Sequence, residues 1–184
     1  MRIQTYNSDL RVALDLPDGT DRWEHSRLIA DIGGEYPHTV VQIPPPSQST
    51  CVMHALRLTG EPVYEAIARH AHPEIFAGRD FIEWACQHRL QEIGNAVDGA
   101  LALYFENEVW RHIGIVVKPP RVTSKWGLFP VYEHNIGEIP ARYGNEVRFF
   151  EAPAKGQGLH WFLNYAEARG LSTGDIDYLI HLCQ

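Results

Sequence analysis

The chain has 184 residues, enough for one domain with a substantial core. Its 16 basic and 23 acidic side chains leave a net charge of −7, which excludes a general electrostatic attraction to nucleic acid or an anionic membrane. Cysteines 51, 86 and 183 form no CxxC pair and no close Cys/His set, which speaks against structural zinc and a disulfide framework and for a reducing compartment.

The opening stretch, MRIQTYNSDLRVALDLPDG, has no apolar h-region or cleavage pattern, and no apolar run approaches the roughly 20 residues that span a bilayer. A protein cytoplasmic as synthesised is expected, with signal-independent export as an effector left open. Residues 1–50 read as irregular, with one short strand at Val40, Val41 and Ile43 stopped by an extended Pro44–Pro46. Three helices follow. STCVMHALRLTG has Ser49 or Thr50 as cap and Gly60 as stop, EPVYEAIARH has Pro62 in its first turn, and DFIEWACQHRL begins behind Asp80.

From residue 97 the pattern alternates. Strands are predicted at about 100–106 and 109–117 around a turn at Asn107–Glu108, with others from Val122 to Lys125 and over 146–151. GLHWFLNYAEARG and STGDIDYLIHLC return to helix, the second with Ser172 and Asp175 in capping-box spacing. The order predicts a single α+β domain over 1–184, with a core at about 48–151 and a C-terminal helical extension at about 156–184.

Two residues in this frame suggest chemistry. Cys51 opens the first middle helix, where unpaired N–H groups and the positive end of the helix dipole favour thiolate. His112 starts the strand RHIGIVV, where an imidazole can serve as base for a thiol. Separately, a helix cysteine is more often a small buried apolar residue, and a strand histidine more often a locally bonded one. RHAH, residues 69–72, puts two histidines at i and i+2, which share no helix face and bind no metal together. No HExxH, P-loop or GxSxG occurs, so neither a metal nor another cofactor is expected.

GALALYFENEVWRHIGIVV and STCVMHAL together resemble the strand and cysteine helix of NlpC/p60-type, papain-like cysteine hydrolases. VTSKWG at 122–127, YEH at 132–134 and YG at 143–144 resemble, in the same order, an uncharacterised bacterial branch of that superfamily. The likeness covers about residues 48–151. Thr50 stands where an Asn often precedes the cysteine, and Ala100 where an acid is usual, with Asp98 displaced beyond Gly99.

The resemblance implies a papain-like sheet carrying Cys51 as nucleophile and His112 as base. A third residue on a following strand would orient the imidazole. Twelve residues past His112 lies Ser124, a weak orienter; Lys125 has donors only, and Glu133, His134 and Asn135 follow, with His134 favoured. Gln48 is the upstream oxyanion-hole candidate, and Trp126 a candidate site wall. The implied activity is hydrolysis of an amide bond in a peptide or peptidoglycan-like substrate. Deamidation or acyl transfer by an effector, and a non-catalytic peptide-binding module on the same fold, are the alternatives. An inhibitor or immunity protein is a conceivable partner; nucleic acid and membrane are not expected ones.

Overall fold

Alternation along two central strands decides how the chain layers. A computed structural model describes residues 1, 3, 8–17, 20–43, 49–70 and 74–182, with β3 at Leu101–Glu106 and β4 at Val109–Lys118. Asn107 and Glu108 join them with φ of 50° and 65°, the two left-handed residues a tight hairpin needs. Beyond them lie β5 (Arg121–Lys125), β6 (Val131–Asn135) and β7 (Glu146–Phe150), with β1 (Val41–Ile43) and β2 (Glu92–Ile93) at the edges. All seven form one antiparallel sheet in the order β1-β6-β5-β4-β3-β7-β2.

Because side chains alternate across a strand, the sheet has two unlike faces. One carries Leu101, Leu103, Phe105 and Ile113 and packs on the middle and C-terminal helices. These are α3 (Cys51–Ala55), α4 (Pro62–His70), α5 (Arg79–His88), α6 (Gln157–Ala168) and α7 (Thr173–Leu182). Trp161, Phe162 and Tyr165 of α6 enter the same core as Val52 and Ala55 of α3. Gly158 lies so close that a Cβ there would stand 2.4 Å from the Leu56 carbonyl oxygen. The capping read at Ser172 is present, its hydroxyl accepting from the Asp175 N–H at 3.1 Å.

The other face carries Ala102, Tyr104, Val116, Val122, Trp126, Tyr132, Val147 and Phe149. It is covered by the segment that the sequence pattern leaves irregular. That segment contains α1 (Ser8–Ala13) and α2 (Arg22–Ile32), the latter capped by Asp21, whose side chain accepts from Trp23 N and Glu24 N at 2.8 Å. The inward positions of α2 are 25, 28, 29 and 32, a regular helical stripe whose first member is the fully buried His25 rather than an apolar residue. Its Nδ1 lies 2.8 Å from the Tyr132 hydroxyl and its ring stacks on Phe129 at 3.7 Å. Buried Arg11 ties α1 down through the Ile139 and Gly144 carbonyls.

Two other expectations change. The first middle helix is one turn, ending at Ala55, and Arg57 follows with φ 57°. The α5 cap is Gly78, with Asp80 in the first turn. The predicted Pro44–Pro46 stretch lies outside the described residues.

Gly114 holds β4 and β5 together at the centre. A Cβ there would meet Val122 Cγ1 at 2.6 Å, the Thr123 carbonyl oxygen at 2.8 Å and Ser124 Cβ at 2.9 Å, two of them on a neighbouring backbone or Cβ that cannot swing aside. Gly114→Ala should therefore lower the unfolding free energy by about 1–3 kcal/mol in urea denaturation. An unchanged midpoint would show that the two strands are free to part.

Candidate functional site

α3 starts where the sequence places it. Thr50 is extended, with φ −82° and ψ 166°, and its Oγ1 accepts from Met53 N at 3.1 Å. The same hydroxyl donates to the Ala77 carbonyl at 3.1 Å, anchoring the start of α3 to the chain that leads into α5. Thr50 thus caps α3.

Cys51 comes to rest against β4. The Val116 N–H donates to Ala100 on the β3 side, so by strand parity the N–H groups of Ile115 and Ile113 point toward β5. The paired register of β4 and β5 includes Ile115 opposite Thr123 and Gly114 opposite Ser124, and goes no further in that direction. The next amide, that of Ile113, is directed at the Cys51 sulfur instead, and with the amides at the start of α3 it favours ionisation of the thiol. The sulfur therefore sits at the edge of the peptide that joins His112 to Ile113, in the gap where the strands diverge. Folding has brought it there across 61 residues of sequence (112 − 51).

The His112 ring lies on the far side of that peptide. It is 1% exposed and stacks on Tyr143 with centroids 4.0 Å apart and planes 12° apart. Its Nε2 is buried with no hydrogen-bond partner among the described residues. Burial, then the positive ends of His134, His54 and Arg142, hold the imidazole well below its ordinary value near 6.5. Burial also pushes the Cys51 thiol up to about 11, outweighing the three amide N–H groups and the nearby Lys125 charge. The thiolate expected from a helix N-terminus is thus not the resting form, because a one-turn helix offers too little field to offset desolvation.

His134 is held elsewhere. Its Nδ1 lies 2.8 Å from the Asn135 carbonyl, so that nitrogen carries the proton and Nε2 accepts from the Ser124 hydroxyl at 2.8 Å. Ser124 in turn accepts from Trp126 Nε1 at 2.9 Å. These three residues form a closed buried group that makes no hydrogen bond to His112; what orients the His112 ring is Tyr143. Trp126 is fully buried among His25, Tyr132 and His134, so it does not wall the site. Gln48 and His72 lie outside the described residues.

A cavity of about 670 Å³ opens beside Cys51, between Ser49, Thr50, Cys51 and Met53 on one side and Lys125, Gly127 and Leu128 on the other. His112 is not among its lining residues. A second cavity of equal volume, lined by Arg57, Asp98 and Glu151 among others, has no cysteine, serine or threonine among its described lining residues. Lys125 and Tyr143 are the site residues that motif reasoning passed over. Parity would have found Lys125, since 125 faces the same side as Ile113 and hence α3. For Tyr143 the signal is only its Tyr-Gly pair.

No family model, curated protein or solved structure matches the chain. Among the described residues there is no helix long and apolar enough to cross a membrane and no cluster of three or more side chains that could hold a metal ion.

The buried imidazoles give a pH signature. His25 and His134 are both lowered to about 4 by burial, while in the unfolded chain they titrate near 6.5. Below 6.5 the unfolded chain binds protons that the folded chain refuses, so stability is greatest above 6.5 and falls until about pH 4. His134 alone accounts for up to about 3 kcal/mol of that loss. Glu138, lowered by hydrogen bonds from Thr39 and Asn135 despite its burial, adds loss of the same sign. Urea unfolding at pH 7.5, 5.5 and 4.5 should show a steep decline; a level profile would mean that these histidines are not buried neutral.

Proposed function

We propose that the chain hydrolyses an amide bond, with Cys51 as nucleophile and His112 as general base and acid. The observation that carries this reading is the sulfur lodged on the His112–Ile113 peptide beside an open cavity. In the proposed cycle His112 takes the thiol proton as the sulfur attacks the carbonyl carbon. The tetrahedral intermediate collapses as His112 protonates the departing amine; water then attacks the thioester with His112 again as base, the C–S bond breaks to release the carboxylic acid, and His112 returns the proton to the Cys51 sulfur. The backbone N–H of Cys51 is the proposed oxyanion donor.

The resemblance to papain-like NlpC/p60 enzymes supports a peptide substrate, peptidoglycan-like peptides among them. The resting pair is neutral on both sides, so proton transfer belongs to the attack itself instead of preceding it. A second reading, a peptide-binding module with an inert thiol, draws support from one observation: the His112 ring is buried and does not line the cavity. Deamidation or acyl transfer would use the same first step with a different acceptor.

A panel of peptides, peptidoglycan fragments and glutamine-containing peptides separates these readings. Cys51→Ala should abolish turnover, and His112→Ala should reduce it by about 10²–10⁴-fold. Iodoacetamide labelling of Cys51 should climb about tenfold per pH unit from 7 to 10, following a thiol that holds its proton to about 11. Turnover that survives Cys51→Ala would overturn the proposal. Binding of a panel member without any turnover would establish the binding module instead.

A further inference from the structure

We propose that the Cys51 cavity selects ligands with an anionic group next to the reacting centre, and that Lys125 is the residue that selects them. The substrate half of this statement rests on Cys51 being the nucleophile proposed above; the charge preference does not.

Lys125 is 1% exposed, an unusual condition for a lysine, and lies on the wall facing Cys51. Its Nζ donates to the carbonyl oxygens of Gly127 and Phe129, both at 2.7 Å. These bonds close a turn in which Phe129 N donates to the Trp126 carbonyl at 2.8 Å. The ammonium is therefore fixed behind Gly127 and Leu128, the far side of the cavity. Carbonyl dipoles orient it. The other described lining residues, Ser49, Thr50, Cys51, Met53, Gly127 and Leu128, bear no formal charge.

Among the described lining residues there is thus one formal charge, and it is positive in a chain whose net charge is −7. Low-dielectric walls strengthen and localise the field of such a charge. That field reaches the Cys51 sulfur, which it helps to ionise, and His54, which it makes harder to protonate. Met53 and the 83% exposed Leu128 add apolar surface at the rim. The fitting ligand has an apolar body and a carboxylate or similar anion placed close to the carbonyl that the sulfur attacks.

The test uses two alkylating reagents on the full chain, iodoacetate and neutral iodoacetamide, with each cysteine followed by peptide mass mapping. Both react with thiolate and expel iodide, so their rate ratio cancels the ionised fraction and reads the local charge. 2-Mercaptoethanol supplies the neutral reference, and Cys86 the reference for the protein's overall negative field. The iodoacetate-to-iodoacetamide ratio at Cys51 should exceed that of 2-mercaptoethanol about fivefold or more. It should fall to the level of Cys86 in Lys125→Met and persist in Lys125→Arg. A wild-type ratio at or below that of Cys86 overturns the inference even if Lys125→Met does not fold. A preference that survives in folded Lys125→Met overturns the role of Lys125. A preference without hydrolysis of any peptide leaves the cavity's selectivity standing and removes the hydrolase reading.

Discussion

The amide of Ile113, where the ladder between β4 and β5 runs out, faces the sulfur of Cys51. This contact links the two halves of the molecule that matter to the site. It joins α3 to the sheet just beyond the last β4–β5 pair, Gly114 and Ser124, and lies beside the cavity that Cys51 lines with Lys125 and Gly127. In-plane N–H groups point sideways between strands, so the thiol occupies the boundary between the sheet's two faces instead of belonging to either. His112 approaches from the N-terminal side of that boundary, Lys125 from the helical side.

The burial that creates this arrangement also sets its chemistry. Both members of the Cys51–His112 pair are shifted toward their neutral forms, the thiol upward to about 11 and the imidazole downward. An ion pair would have needed solvent or a stronger field to sustain two charges in this space. Tyr143, stacked on the imidazole, replaces the hydrogen-bonded orienting residue that the resemblance implies. Aromatic stacking fixes the ring plane, which suits the base of the attack proposed above.

How much of this could be read from the sequence followed from whether a residue's environment is local. The β3–β4 hairpin, the Ser172 cap and the start of α3 at Cys51 were legible because a turn, a cap or a strand pattern depends on neighbours within a few positions. α2 was not, since His25 occupies the first position of its inward stripe and hides the apolar period. β6 was missed for a similar reason: Glu133 and His134 read as functional polar residues, and His134 proves to be a buried strand residue satisfied by Ser124 and Asn135. The site residues showed the same divide. Cys51 and His112 stood out by type and order, while Lys125 required strand parity and Trp126 was misplaced by one alternation of the strand.

The central claim, that the Cys51 sulfur rests on the peptide between His112 and Ile113, is tested most directly by NMR of nitrogen-15-labelled wild type and Cys51→Ala. The account predicts that removing the sulfur shifts the Ile113 amide proton and the His112 imidazole nitrogens. The imidazole of His134, closed off by Ser124 and Asn135, should keep its position as an internal control. Ile113 and His112 signals that stay in place would contradict the account, because no thiol would then stand at that peptide.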